Sequence, residues 1–488
     1  MKAKRTWFGL IDDACLRNWT LEYLDQNGQS KGGRDRTAAS RITQKTSEMR
    51  GTRRLVVKTY PRKQGFLGLR IDVCRGIGVM AHFDWIAVAV PHLVYTLAPR
   101  VLEKARSLYF WRIGLDFGST LWGIVVLLAV LNFRWATGLA GWSASITRKP
   151  WLQGFCFVPA ILLLLSLAHL PLAILGHHIS LSYGQSIQGW ASWFADWGKA
   201  LLLNLITGTF VLSFVFILIR RSRRWWLWLW VFSLPMQVLV VFVLPLVIDP
   251  MFNHFEPLAQ THPELVQQLE RVVSKTGVSI PPARMFLMKA SEKYTSSNAY
   301  VTGFGSSQRV VVWDNTIKSS PPDEILLVFG HELGHYVLHH IERGLAIGAV
   351  LSLFFLWIGA RFVDWLIGRY GPRWHIASLE DWAATGVLLL ALSVLSFIAE
   401  PIGNSISRAQ EHQADVFGVE VVHGIVADPQ KVDAQSFQRL GEQSLEYPYP
   451  SALVVFWTYT HPPIAEREAF AANYDPWKPG GHPQYFSK

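Results

Sequence analysis

Two histidines four residues apart flank a glutamate in the run His331-Glu332-Leu333-Gly334-His335. On a helix that spacing puts both imidazoles on one face with the carboxylate beside them. Two neutral nitrogen ligands and a neighbouring base are what a catalytic zinc ion requires: the metal activates a water, and the glutamate takes its proton. A third ligand must come from elsewhere. The run Glu411-His412-Gln413-Ala414-Asp415 can supply it, with Glu411 lying 76 positions after His335 and sharing a helical face with Asp415. A longer histidine pattern would place Gly at 338 and His at 341, whereas the chain has Leu338 and Ile341. The third ligand is therefore expected to be the Glu411 carboxylate. His339 and His340 are read as polar interfacial residues at the helix end, and His412 as a residue facing away from the site.

The metal helix is expected to begin at Ser320-Pro321-Pro322-Asp323-Glu324. A serine cap, prolines in the first turn and carboxylates near the positive end of the dipole all favour initiation there. The periodic residues carry it to His340, with Gly344 just beyond. Gly334, between the two histidines, leaves room for metal, substrate or a neighbouring helix to come close. Upstream, residues 263–276 predict an amphipathic helix with Leu265, Leu269, Val272 and Val273 on one face and Gly277 at its stop. Residues 284–290, 298–302 and 309–314 read as short strands, with a turn at Gly303, Gly305 and Ser306.

Between and before these elements lie apolar runs of membrane-spanning length. The chain has 488 residues, half of them hydrophobic, and 22 Trp. Spanning helices are expected at 113–133, 154–175, 199–219, 225–248, 345–363 and 382–399. A seventh candidate, 78–99, contains Asp84 and two histidines. Trp111, Trp135, Trp151, Trp225, Trp226 and Trp382 sit at the ends of these runs, as interfacial anchors do. The metal site must therefore assemble in or against a bilayer.

The net charge of +11 does not indicate nucleic-acid binding. Residues 1–75 hold 17 Lys/Arg against 7 Asp/Glu, so nearly all of the excess belongs to one segment without periodicity. Residues 1–77 are read as a basic polar tail, expected to be disordered and able to rest on anionic lipid. A reading frame starting internally at Met80 is an alternative. No cleavable signal is read at residue 1, so the first span is expected to direct insertion. Cys15, Cys74 and Cys156 are too few and too scattered for a disulfide framework or a thiolate metal site. Residues 78–248 form the expected N-terminal membrane domain of about five spans. Residues 249–488 form the expected metalloprotease domain, which includes the two-span hairpin 345–363 and 382–399.

An ordered series of motifs resembles the integral-membrane zinc metalloproteases of the CAAX prenyl protease type I family, over residues 102–475. It comprises Ser182-Tyr183-Gly184-Gln185-Ser186, Asp249-Pro250-Met251-Phe252-Asn253, Asn298-Ala299-Tyr300, the His331 and Glu411 blocks, and His461-Pro462-Pro463 followed by Arg467. The resemblance implies a mainly α fold: a polytopic bundle of about seven spans around a chamber, with a small α+β zincin-like domain. It further implies one Zn2+ per chain, bound by His331, His335 and Glu411, with Glu332 as catalytic base and Asp415 as proton donor. Asn298 and Arg467 become substrate-binding residues, and His461 a catalytic residue beside the scissile carbonyl. On physical grounds Asp415 is better placed to orient a ligand histidine through its free ring N–H. The strand at 298–302 could pair with an extended substrate backbone.

The expected partners are the lipid bilayer and a peptide or protein substrate, membrane-associated or lipidated. The expected location is a bacterial inner (plasma) membrane. A shorter heat-shock membrane protease is the nearest enzymatic alternative, and the four apolar runs before residue 249 argue against it. A catalytically silent scaffold or transporter would have lost ligands or base, and all are present.

Overall fold

The computed structural model describes residues 95–303 and 308–486, together with three strands nearer the N-terminus. Those strands, β1 (Trp19–Tyr23), β2 (Arg53–Lys58) and β3 (Arg70–Asp72), belong to a unit of their own, Met1–Leu93. In it β1 runs parallel to β2, and β3 runs antiparallel to β2. Most of the candidate span 78–99 lies outside the described residues, as do Cys15 and Cys74.

The second unit, Val94–Lys488, opens with α1 (Pro99–Asn132), α2 (Trp135–Ile146), α3 (Pro150–Ser182), α4 (Trp190–Arg221) and α5 (Trp225–Val243). A π-helical stretch, Leu244–Ile248, leads into α6 (Asp249–Phe252), and the path bends by 41° there. Pro245 and Pro250 account for the break, since neither can donate to the helical ladder. The expected span 225–248 is thus a bent pair rather than one straight helix. Next come β4 (Phe255–Pro257), α7 (Leu258–Thr261), α8 (Pro263–Ser274), β5 (Met285–Met288), β6 (Ala299–Thr302), β7 (Arg309–Trp313), α9 (Asp314–Ser319) and α10 (Pro322–Val337). The chain then re-enters the bundle as α11 (His340–Trp374) and α12 (Thr385–Val421), and ends in α13 (Pro429–Ser444), α14 (Ala452–Thr458) and α15 (Ile464–Asn473).

Among the described residues, five helices are long and apolar enough to cross a membrane: α1, α3, α4, α11, and α12 with the short turn that leads it. The bent pair at α5 makes six. All six expected runs lie within these helices, except that Phe133 caps the end of α1. Their surfaces keep large apolar side chains in the open, such as Leu121, Phe210, Phe354 and Leu392. In water that exposure would oppose folding, whereas against lipid it costs nothing.

The small domain packs a four-stranded sheet of order β4-β5-β7-β6 on α8 and α10. β5 and β7 are parallel, while β4 and β6 are antiparallel edge strands. The four residues expected on the core face of α8 are all buried, against Met285, Val310 and Phe329. α10 is therefore central, with the sheet on one side and the end of α12 on the other. Its start and end differ from expectation. Pro321, not Ser320, occupies the cap position, and no side chain caps it. The helix stops at Val337, because His339 turns into the left-handed region (φ 57°) and α11 restarts at His340. Gly344 lies inside α11, and the expected turn around Gly305 and Ser306 lies outside the described residues.

Candidate metal centre

α10 carries His331 and His335 one turn apart, and α12 continues from its membrane span straight into Glu411 and Asp415. The two helices cross closely because glycines meet there. A Cβ on Gly418 would lie 3.0 Å from the His331 backbone nitrogen, and one on Gly334 would lie 3.0 Å from the Phe417 ring. Gly334 therefore makes room for the neighbouring helix. Across this crossing His331 Nε2 lies 3.2 Å from His335 Nε2 and 3.2 Å from Glu411 Oε2, and His335 Nε2 lies 3.4 Å from Glu411 Oε1. Tetrahedral zinc with bonds of roughly 2.0–2.2 Å separates its ligand atoms by about 3.3–3.6 Å. Glu411 is 6% exposed, and its Oε2 has no hydrogen-bond partner. Two ring nitrogens and an orphaned carboxylate oxygen, converging at ligand spacing, fit a metal ion.

The outer atoms of both rings are fixed. His331 Nδ1 is 2.9 Å from Asp415 Oδ1, and a carboxylate can only accept, so Nδ1 carries the hydrogen and Nε2 offers its lone pair. Arg467 Nη2 also comes within 3.4 Å of His331 Nδ1. The shorter carboxylate contact decides the tautomer, because Arg467 already donates to Asp415 through Nε (3.0 Å) and Nη2 (2.6 Å). On the other ring, His335 Nδ1 lies 2.9 Å from His340 Nδ1, and His340 Nε2 lies 3.1 Å from Gln413 Oε1. With the amide oxygen accepting, His340 Nε2 donates, its Nδ1 accepts, and His335 Nδ1 must donate. Both ligand nitrogens are thereby left free.

Burial opposes charge on His331, yet the neighbouring Asp415 and Glu411 carboxylates favour positive charge there, so the pocket is built to hold a cation. Burial raises the Glu332 carboxyl above its ordinary value, against the pull of His331 and His335. A backbone bond from Val301 ties that carboxyl to edge strand β6.

The remaining expected residues fall around this centre. His461 Nε2 is 3.3 Å from Glu411 Oε1, and its Nδ1 is 2.8 Å from Thr460 Oγ1. Asn298 faces the cavity just ahead of β6. Arg467, expected to touch substrate, is buried, committed to Asp415 and stacked 4.5 Å over Phe437. His340 differs from expectation: only His339 is exposed at the surface, whereas His340 is 4% exposed and bonded to His335. Sequence reasoning also missed Gln413 and Asp433. Asp433 lines the cavity on α13, and burial together with Asp415 pushes its carboxyl up to about 8.

The centre opens on a cavity of about 990 Å³ whose far wall is formed by Arg112, Asp116, Ser119 and His169 of α1 and α3. An adjoining cavity of about 640 Å³ shares Ser119 and His169 and reaches Glu400 on α12. The expected chamber is present, and its polar wall lies between membrane helices.

Residues 259–474 match the model of peptidase family M48, and residues 88–254 match that of the CAAX prenyl protease N-terminal region with five membrane helices. A Bacillus subtilis protein named uncharacterized metalloprotease YhfN is 33% identical over 67% of this chain and 75% of its own length. CAAX prenyl protease 1 of Saccharomyces cerevisiae is 27% identical over 64% of this chain and 71% of its own. A CAAX prenyl protease 1 homolog of Oryza sativa is also 27% identical, with the match spanning 62% of that protein. The crystal structure of S. mikatae Ste24p has the same fold, with a TM-score of 0.66 at 21% identity over 77% of this chain and 89% of that one. The chain belongs to peptidase family M48, as an integral membrane metalloprotease.

Proposed function

We propose that the protein is a zinc-dependent endopeptidase of a bacterial inner membrane, holding one zinc ion per chain between His331, His335 and Glu411. Its substrates are proposed to be membrane-associated chains cut near a C-terminus, as the names of the CAAX prenyl protease relatives suggest. The observation that carries this reading is the convergence of three metal-binding atoms at the mouth of a cavity walled by membrane helices. Zinc held there would supply Lewis-acid activation of a water and of the peptide carbonyl.

The chain's own groups do the rest. Glu332 receives the water's proton on its carboxylate and returns it to the departing amine; burial, which raises its affinity for that proton, suits both transfers. Asp415 and His340 keep both ligand imidazoles hydrogen-bonded through Nδ1, so that Nε2 is presented in a fixed direction. Asp415 already receives two bonds from Arg467 and one from His331, which suits it to orientation rather than proton donation. Edge strand β6, whose Val301 bonds to Glu332, offers its open edge to an extended substrate, with Asn298 just ahead of it. His461 is placed to donate to the carbonyl oxygen as negative charge develops there.

The test compares wild type with Glu332→Gln on farnesylated and unprenylated peptides, with zinc content measured on both proteins. The expected result is chelator-sensitive hydrolysis that falls at least about a hundredfold in the variant while zinc is retained. Equal activity of the two proteins, or purified wild type without zinc, would sink the proposal. A preference for the farnesylated peptide would support lipidated substrates.

A further inference from the structure

The cavity has an arm that the hydrolytic machinery does not use. Its walls are Leu327 of α10, Phe437 and Leu440 of α13, and Ile464 of α15, and Asp433 lines it one turn before Phe437. The spacing of Asp433, Phe437 and Leu440 puts all three on one face of α13, so the carboxylate and the apolar walls belong to a single surface. Asp433 is only 8% exposed, yet among the described residues it makes no hydrogen bond or ion pair. Arg467, its nearest obvious partner, stacks on Phe437 and spends Nε and Nη2 on Asp415. A buried carboxyl left unpaired is costly, and such groups in native proteins are normally met by a partner. Asp433 is part of the cavity lining. The cavity wall also carries Asp116, Glu332, Asp415 and Glu446, the histidines His169, His331 and His461, and Arg112, which is bonded to Gln185.

We infer that this arm is a specificity pocket for a lysine or arginine side chain of the substrate, with the methylene stem against Phe437 and Leu440 and the cationic head on Asp433. A long cationic side chain matches both features, since its stem buries apolar surface while its charge opposes the burial and the Asp415 repulsion that disfavour the ionised Asp433 carboxyl. An aliphatic side chain would fill the walls and leave the carboxyl unpaired, so discrimination arises from the residue as well as from the fit. Arg467 stacks on Phe437 and holds Asp415 against His331, which puts the pocket beside the metal centre. The pocketed side chain therefore belongs to a residue flanking the cut bond.

The inference rests on the protease reading, and the experiment separates the two. Full-length, zinc-loaded protein in detergent is given quenched peptides that differ only in lysine or norleucine at each position flanking the scissile bond. Wild type is expected to favour lysine at one of them by at least about tenfold in kcat/KM. Asp433→Asn is expected to bring that ratio to about one, and Asp433→Leu to reverse it. Because the readout is a ratio within one protein, partial misfolding of a variant cancels. Binding of the same peptide pair to Glu332→Gln with and without Asp433→Asn gives a second measurement independent of turnover. A ratio unchanged by Asp433→Asn, or no lysine preference at any position, overturns the pocket while Glu332-dependent cleavage leaves the protease reading standing. A wild type that cleaves no peptide overturns both.

Discussion

His340 is the residue on which the presentation of His335 depends, although it touches neither substrate nor the space for the metal. It stands between His335 Nδ1 and Gln413 Oε1, and accepting the ring hydrogen of His335 leaves the far nitrogen free to bind. Partners of ligand histidines commonly contribute about 10–100-fold to metal affinity. His340→Phe keeps a ring of similar breadth but cannot accept that hydrogen. Zinc retention under graded chelator competition is therefore expected to weaken by roughly 10–100-fold, with activity restored by excess zinc. Unchanged retention would show that the bond does no orienting. His331, Glu332 and His335 were legible from spacing alone, and Glu411 from its company with Asp415. His340 was not, because a continuous helix carries it away from the site, and only the left-handed turn at His339 brings it back. Asp433 gave no signal either: an isolated aspartate in a polar helix reads as a solvated surface group until the fold buries it.

At the level of elements, the site exists because α10 and α12 approach to the point where one helix touches the other's backbone. A Cβ on Gly418 would meet the His331 backbone nitrogen and Cα at 3.0 and 3.2 Å, and one on Gly334 would meet the Phe417 ring. The two contacts differ in what can yield. A ring can swing by a few tenths of an ångström, whereas a helix backbone must move as a unit, taking Glu411 away from the histidines. Gly418→Ala is thus expected to cost about 1–3 kcal/mol of local packing and to lower zinc affinity at least about tenfold. Gly334→Ala should have a smaller effect, and circular dichroism should show full helix content in both. Equal effects would place the close contact elsewhere. The apolar runs revealed where the spans lie but not that the last one extends unbroken to Val421. Polar residues beyond the bilayer are silent in hydropathy, so the helix that carries Glu411, the proposed third ligand, out of the membrane was visible only as its apolar part. The break at Leu244–Ile248 was hidden for the converse reason, since its residues are as apolar as those of a straight span.

For the molecule as a whole, the chamber was implied by family resemblance and by nothing in composition, because a cavity depends on how spans lean rather than on what they contain. Its size now sets a limit on what can be cut. The metal centre opens on about 990 Å³ of space, continued by about 640 Å³ along α1, α3 and α12. A cavity of this order suits a short peptide segment, while a folded domain of about 100 residues has a radius of gyration near 13 Å. A substrate must therefore reach Glu332 as an extended strand, and a folded domain attached close to the scissile bond must stop outside. Each extended residue adds at most about 3.3–3.6 Å of reach, so a linker of about three residues is too short to pass the chamber wall and one of about twenty is ample. Fusing a stable folded domain through the short linker is expected to abolish cleavage of an otherwise good peptide. The long linker, or a destabilised version of the domain, is expected to restore it. Cleavage at equal rates with short and long linkers, followed by gel electrophoresis, would mean that substrates reach the metal centre by a route other than this chamber.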